Sequence, residues 1–225
     1  MNAQGKRSGE TAREYAYRMI REQVISLELK PGEAFNDMEF AAKIGVSRTP
    51  VREAVIQLSE ESRIIEIFPQ RGMRIAPIDV KLVEEARSLR VLLEKQIAGM
   101  CCEMATEEDI KWLQENVGLQ EFYMENSRPE MVMQLDDEMH HKLFMICHRE
   151  LTYGMCQKLA IHYDRIRSLS VNTVKDNTII EDHRKIIQFI AEHKKENAMA
   201  QMEKHLSRWQ LNEGKFRQEF PDYFK

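Results

Sequence analysis

Residues 45–58 read Gly-Val-Ser-Arg-Thr-Pro-Val-Arg-Glu-Ala-Val-Ile-Gln-Leu, a glycine turn followed by an amphipathic helix. A hydroxyl at Ser47 or Thr49 can accept a hydrogen bond from an unpaired N–H at the start of that helix. Apolar positions then recur at helical spacing, so one face of the helix should pack on a core. The other face carries Arg48 and Arg52, and arginine in this position suits phosphates and guanine edges. The alternative is an ordinary surface helix whose arginines are solvated.

A second predicted helix precedes this one. Asn36 is followed three residues later by Glu39, which is the spacing of a capping box, and Gly45 can end the helix in a left-handed conformation. Helix, glycine turn and helix make a helix-turn-helix. Residues 64–76 then hold two β-rich runs around a Pro/Gly turn with Arg71 at its tip. A basic hairpin directly after the second helix predicts a winged helix-turn-helix.

Three motifs resemble the GntR family of bacterial transcription regulators: Lys30-Pro31-Gly32, the run at 45–54, and Arg71-Gly72. The resemblance implies that the second helix contacts double-stranded operator DNA and that the wing tip enters the minor groove. The residues predicted to contact DNA are Ser47, Arg48, Thr49, Arg52, Arg71 and Gly72. Many family members carry an arginine near the position of Met38, and this chain has none there.

The composition bounds the class of protein. A chain of 225 residues, with 43% hydrophobic and 31% charged residues, can form one large or two ordinary domains. The net charge is −4, and residues 1–78 hold 12 Lys and Arg against 11 Asp and Glu, so DNA affinity must come from local placement of arginines. The four cysteines lack C-x-x-C spacing, and no apolar run is long enough for a bilayer or a signal peptide. We therefore expect a reduced, cytoplasmic protein with no membrane partner.

Beyond Asp79 the sequence shows no strand signal, and its apolar spacing predicts six helices. They begin near Val80, Thr106, Ser127, Leu151, Thr178 and Asn197, and the last extends to Gln218. Six helices with short connections favour an antiparallel bundle. The predicted fold class is mainly α, with an N-terminal winged helix-turn-helix and a C-terminal all-helical bundle of about six helices. The predicted domains are a disordered tail at 1–10, a DNA-binding domain at 11–78, and an effector-binding and dimerisation domain at 79–225.

Four side chains of the predicted bundle could hold a metal ion. Asp136 and His140 are four residues apart, so they project from one face of a helix. His183 lies 11 residues before the turn near Lys194, and His205 lies 11 residues after it. Equal offsets in a helical hairpin place the two histidines at one level, about 16 Å from the turn. Three imidazoles and a carboxylate suit a first-row transition metal with room for exogenous ligands. Asp136 and His140 could instead be a simple hydrogen-bonded pair.

The run from Asp136 to Leu143 resembles the D-x-x-F-H-x-x-L signature of the FCD effector domain, with Met139 in place of the usual Phe. This domain occurs in the FadR-type branch of GntR regulators, and six helices resemble its VanR-like subgroup. The resemblance implies that Asp136, His140, His183 and His205 bind a divalent ion. We expect zinc first, with nickel, manganese or iron as alternatives.

Arg90 lies on the apolar stripe of the first bundle helix, so it should point inward. It could snorkel to the end of the bundle or pair with Glu94 across one turn. The other interpretation is an anchor that binds the carboxylate of an anionic effector through two hydrogen bonds. Arg90-x-x-Leu93-Glu94 resembles the R-x-x-L-E run of the family, which favours the anchor.

Together these features predict a homodimeric transcription regulator, and specifically a repressor, rather than an enzyme. The effector domain would bind a metal and a small organic acid that modulates operator binding. Two alternatives remain open at this point. One is a metal-dependent hydrolase or oxygenase with a DNA-binding head, and the other is a pure metal sensor.

Overall fold

The computed structural model of the chain describes residues 5–173 and 178–225. The chain forms two compact units. The first contains the residues up to Val80 together with Glu219–Lys225, and the second contains Lys81–Gln218. The sequence had grouped the last seven residues with the helical domain, whereas they pack with the first unit. Positions 1–4 of the tail that the sequence predicted at 1–10 lie outside the described residues. Glu10, the last residue of that tail, pairs with Arg18.

The first unit has the winged helix-turn-helix topology. Its elements are α1 (Ala12–Ile25), β1 (Ala34–Phe35), α2 (Asp37–Ile44), α3 (Arg48–Ser62), β2 (Ile65–Phe68) and β3 (Gly72–Ile75). The sheet has the strand order β1-β3-β2, and both pairings are antiparallel. The buried residues Ile20, Val55 and Leu58 belong to its core, in which α1 packs on α3. Burial of this apolar face leaves the arginine face of α3 exposed.

The ends of α2 agree with the sequence prediction, but the start of α3 does not. The Asn36 side chain accepts hydrogen bonds from the N–H groups of Met38 and Glu39. Gly45 has φ of +73° and ψ of 33°, the left-handed conformation that a helix end requires. Ser47 occupies the N-cap position of α3, yet its hydroxyl makes no capping hydrogen bond. The prediction of a side-chain cap from Ser47 is therefore wrong, and this hydroxyl does not satisfy the start of α3.

The second unit is all-helical within the described residues. Its helices are α4 (Val80–Met104, with Val80 in the first unit), α5 (Glu107–Glu125), α6 (Pro129–Ile146), α7 (Glu150–Thr173), α8 (Thr178–Ala191), α9 (Lys195–Leu206) and α10 (Glu213–Glu219, which ends in the first unit). The sequence predicted one last helix up to Gln218. The structure instead ends α9 at Leu206 and inserts a 3-10 turn at Arg208–Leu211.

Packing of α5 against α6 and α8, and of α8 against α9, builds the interior of the second unit. The start of α5 shows how local charges support this packing. Thr106 and Asp109 form a reciprocal capping box, and the Lys142 ammonium lies 2.6 Å from the Asp109 carboxylate. Partial burial alone would raise the pKa of Asp109, but hydrogen bonds from Lys142 and Thr106 lower it to about 2.

The four cysteines are free and buried. None of the described helices is long and apolar enough to cross a membrane.

Candidate metal centre and nucleic-acid interface

The structure brings the four predicted metal ligands together in the interior of the helical unit. Asp136 and His140 come from α6, His183 from α8 and His205 from α9. The Nε2 atom of His205 lies 3.3 Å from Nε2 of both His183 and His140, and Nε2 of His183 lies 3.2 Å from Oδ1 of Asp136. One potential ligand atom from each residue lies within 4.8 Å of the others. His183 and His205 therefore lie at the same level of the α8–α9 hairpin, as the sequence predicted.

Two neighbouring side chains fix how the imidazoles face this centre. Nδ1 of His183 lies 2.8 Å from Oε1 of Gln120, whose own amide nitrogen donates to Asn116. Nδ1 of His140 lies 2.5 Å from Oε2 of Glu94. The oxygen beside each Nδ1 is an acceptor, and a proton on each Nδ1 would leave a lone pair on each of the two Nε2 atoms. In that tautomer the two lone pairs would face the same point, an arrangement that a bound cation would stabilise.

Burial and neighbouring charges favour the metal-binding protonation states of Asp136, His183 and His205. Burial lowers the pKa of His183, and it lowers that of His205 well below the usual value, with further effects of His183 and His140. Burial alone would raise the pKa of Asp136, but the Arg167 guanidinium and the adjacent histidines hold it well below its usual range. Neutral imidazoles and an ionised carboxylate are the forms that coordinate a divalent ion.

The donor set and its surroundings fit a divalent transition metal. Nitrogen and carboxylate donors suit zinc and its first-row neighbours, and outer-sphere partners such as Gln120 and Glu94 orient metal-binding histidines. Asp136, His140, His183 and His205 are the residues that could hold the ion.

Two groups of ion pairs lie beside the candidate centre. Arg167 on α7 pairs with Asp136 and also lies 2.7 Å from Asp164 and 2.9 Å from Asp137. It thus connects one potential metal ligand to two further carboxylates. A second pair joins Arg208 to Asp182, next in sequence to His183.

A cavity of about 40 Å³ opens beside Asp136 and His205. Arg167, Arg208 and the Tyr163 side chain also line it, with apolar residues such as Val132. This volume accommodates a few water molecules. A few ligand atoms would fit equally, so the cavity combines a potential metal face, two guanidinium groups and an apolar wall.

Arg90 is buried, as the sequence predicted, but it is already paired. Its Nε lies 2.5 Å from Oε1 of Glu94, which is the pairing across one turn that the sequence left open. Its Nη1 is buried without a hydrogen-bond partner among the described residues. The guanidinium lies over the ring of Tyr163, 5.2 Å from the centroid. Arg90 therefore contacts Tyr163, which lines the cavity, but does not line the cavity itself, and its Nη1 amino group has no acceptor among the described residues.

The residues predicted to contact DNA are exposed on the first unit. They are Ser47, Arg48, Thr49 and Arg52 at the start of α3, and Arg71 and Gly72 at the tip of the β2–β3 hairpin. Gly72 has φ of +100°, which favours glycine at this turn. Nε of Arg48 lies 3.0 Å from the buried Asp37 carboxylate at the start of α2, so α2 helps to position this arginine.

The sequence did not predict several residues that lie beside the candidate metal centre. Gln120 and Arg167 lie on α5 and α7, and no local pattern marks them. Glu94 was predicted as a possible partner of Arg90 and as part of the R-x-x-L-E run, whereas it also contacts His140. Neither signal pointed to that second contact.

A winged helix-turn-helix with an exposed arginine face, followed by an all-helical domain, defines a DNA-binding transcription regulator. Comparison with known proteins agrees. Residues 12–75 match the bacterial regulatory proteins of the gntR family, and residues 85–208 match the FCD domain. The chain therefore belongs to the GntR family, in its FadR-type branch with an FCD domain. Both domains and the relatives are those of transcription regulators, so the alternative of an enzyme is not retained.

Relatives cover nearly the whole chain. The HTH-type transcriptional repressor RspR of Escherichia coli (strain K12) is 28% identical over 209 residues, which are 92% of this chain and 91% of that protein. The Nta operon transcriptional regulator of Aminobacter aminovorans is 26% identical, over 82% of this chain and 86% of that protein. The structure of E. coli McbR/YncC superposes with a TM-score of 0.75 at 18% identity, covering 93% of this chain and 99% of that one. At this identity the last match supports the fold alone.

Proposed function

We propose that the protein is a cytoplasmic, homodimeric repressor whose helical domain binds a divalent metal, zinc first, together with a small organic acid. Binding of the acid would release operator DNA by shifting the two DNA-binding domains of the dimer. A coupling of about 1–3 kcal/mol between the two sites is typical of such regulation.

The convergence of the three Nε2 atoms on Asp136 is the observation that carries this proposal. Each ligand is buried, and Glu94 and Gln120 orient two of the three imidazoles. A bound ion would supply a positive charge and open positions for oxygen ligands. A purely structural histidine cluster would not need three Nε2 atoms and a carboxylate oxygen at the same point.

The adjoining cavity supports an anionic ligand of small size. An acid there would lie beside Asp136 and His205, with Arg167 and Arg208 at the wall. Each of these arginines is already paired with a carboxylate, so little positive charge remains for a ligand. This favours a compact anion of low charge. Arg90 contacts the cavity-lining Tyr163, and its unpartnered Nη1 would donate to the acid if the Tyr163 ring turned aside.

The DNA-binding part of the proposal is supported by the exposed arginines. Arg48 and Arg52 at the start of α3 suit the major groove, and Arg71 at the wing tip suits the minor groove. A palindromic operator with half-sites about one helical turn apart would match a two-fold dimer.

Exposed apolar side chains on the helical unit support self-association. Leu92 on α4 is 69% exposed, and Leu151 and Met155 on α7 are 88% and 76% exposed. Such side chains are commonly covered in oligomers. Light scattering should give twice the monomer mass, and Leu151→Glu should lower it if α7 lies at the interface. Repression itself is suggested by the similarity to RspR of E. coli, which is named a transcriptional repressor.

The direct test is the metal content of variants. Protein purified without added metal and then loaded with zinc should hold one ion per chain by elemental analysis. His183→Ala should lose the ion, because it removes a ligand atom from the centre. His148→Ala is the matched control, since His148 is exposed, and it should retain the metal. Full retention of zinc by His183→Ala would refute the site.

Two further measurements separate the acid anchor from the metal sensor. Arg90→Ala should weaken binding of the acid more than binding of zinc, and equal losses would contradict an anchor role. Chelation should lower acid affinity and stability without by itself switching DNA binding. If chelation alone switches DNA binding, the ion is the signal and the protein is a metal sensor.

A further inference from the structure

The chain connects the two units twice. It leaves the first unit after Val80 and returns to it at Glu219, so the helical unit is inserted between two parts of the first unit. The returning segment Glu219–Lys225, which we name the C-terminal strap, is the second connection. A change in the helical unit can therefore reach the first unit through either of two covalent connections.

The C-terminal strap is hydrogen-bonded beside the first connection. The N–H of Ile78 donates to the carbonyl of Tyr223 at 2.7 Å, and the N–H of Lys225 donates to the carbonyl of Ile78 at 3.0 Å. These bonds form a parallel bridge between Ile78 and Phe224. The Lys225 ammonium also lies 3.4 Å from the Asp79 carboxylate. Ile78 is fully buried, so this pairing closes the end of the first unit just before α4 begins.

The C-terminal strap also meets the turn that supports the wing. A Cβ atom built on Gly32 would lie 3.5 Å from the carbonyl oxygen of Asp222. The N–H of Gly32 donates to the carbonyl of Ile75, and the N–H of Ile75 donates to the carbonyl of Glu33. Ile75 is the last residue of β3. A movement of the strap would therefore act first on the turn at Gly32. Two backbone hydrogen bonds would then carry it from that turn to Ile75 in the wing sheet.

The chain that leads into the C-terminal strap leaves the candidate metal centre at His205. His205 is followed by Leu206, whose carbonyl accepts a hydrogen bond from the Tyr163 hydroxyl at 2.8 Å. Ser207 then lies 3.1 Å from Arg87 of α4, and Gln210 donates to Glu84 of α4 at 3.1 Å. The start of α4 and the residues after α9 are thus bonded to each other within the helical unit.

We propose that the C-terminal strap transmits the state of the metal centre to the DNA-binding unit. The two connections are tied together inside each unit, by Ile78 with Lys225 in one and by Glu84 with Gln210 in the other. A shift of His205 on ligand binding is carried through the 3-10 turn and α10 to the strap and the wing. The transmission of a metal-dependent change rests on the proposed function, whereas the hydrogen bonds between the strap and Ile78 do not.

The test compares two substitutions of Lys225. Lys225→Pro removes the N–H that bonds to Ile78, and Lys225→Ala removes only the side chain and its pairing with Asp79. Phe224 has φ of −105° and ψ of 151°, an extended conformation that a following proline tolerates. Lys225 is exposed, so both variants should fold. Hydrogen exchange by mass spectrometry would follow peptides at 30–33 and 76–80.

In the metal-free proteins, exchange at 76–80 should rise about two- to tenfold in Lys225→Pro only, which corresponds to the loss of one hydrogen bond. Zinc alone is the probe for transmission. It should alter exchange at 30–33 and 76–80 at least twofold in the wild type and in Lys225→Ala. Lys225→Pro should lose that response, and its zinc affinity should stay within about threefold of the wild type, because the coupling is small and reciprocal.

The outcomes separate the strap from the proposed function. A zinc response of Lys225→Pro equal to that of the wild type would overturn the transmission, as would zinc binding without any response in the wild type. If the wild type binds no zinc, the metal part of the proposed function fails. The strap is then decided by the metal-free proteins alone, where faster exchange in Lys225→Pro supports it and equal exchange refutes it.

Discussion

Replacement of Glu94 by glutamine should weaken metal binding although Glu94 is not itself a predicted ligand. Its Oε2 lies 2.5 Å from Nδ1 of His140, and its Oε1 lies 2.5 Å from Nε of Arg90. Burial alone would raise the pKa of Glu94, but Arg90 and His140 lower it well below its usual range, so the side chain is ionised. Glu94→Gln therefore removes a full negative charge from the partner of His140.

The size of the effect follows from this geometry. Loss of an outer-sphere partner of a metal ligand typically lowers affinity by about 10–100-fold. Glutamine can still accept a hydrogen bond from His140, although a neutral acceptor bonds about half as strongly as a charged one. We therefore expect the lower end of that range, about tenfold or 1.4 kcal/mol. The same change leaves Arg90 buried without its counter-charge, which costs about 3–5 kcal/mol of stability.

Competition with a chromophoric zinc chelator would measure the affinity. The double variant Arg90→Met/Glu94→Gln separates the two effects, because it removes both charges of the buried pair and leaves no unpaired cation. It should recover most of the stability and still bind zinc about tenfold more weakly. Glu115→Gln is the matched control, since this carboxylate is exposed on α5. Zinc affinity of the double variant within twofold of the wild type would refute the role given to Glu94.

Three further predictions test other parts of the chain. Arg52→Ala should weaken binding to DNA selected in vitro at least tenfold by fluorescence anisotropy, whereas Arg13→Ala, an equal charge loss on α1, should have a smaller effect; equal losses would refute recognition by α3. The folded-state pKa of Asp109 is about 2 against an ordinary 3.8, so its stabilisation is complete above pH 3.8 and is lost as the pH falls through 2. As the pH falls from 3.8 to 2, the free energy of unfolding in urea should therefore decrease by about 1 kcal/mol less in Asp109→Asn than in the wild type. An equal decrease in both proteins would contradict this. Gly45→Ala should lower the unfolding free energy by about 1 kcal/mol through its positive φ, whereas Gly118→Ala in the exposed middle of α5 should raise it by about 0.5–1 kcal/mol; an unchanged Gly45→Ala would show that the turn can relax.

The sequence by itself predicted the elements whose signals are local. The cap at Asn36, the end of α2 at Gly45 and the inward position of Arg90 depend on residues within a few positions of one another. The level match of His183 and His205 was also predictable, because a helical hairpin with a short turn fixes the heights of residues at equal offsets. Local hydrogen bonding and helical periodicity act before any distant contact forms.

Tertiary structure decided the rest. Gln120 and Arg167 contact the candidate metal ligands from helices whose sequences carry no local signal for such a site. The break after Leu206 interrupts a sequence that continues in helical character, and the C-terminal strap pairs with Ile78 from the far end of the chain. Packing of distant segments selects these contacts, since many side chains could satisfy the same local pattern and only the assembled helices determine which of them meet.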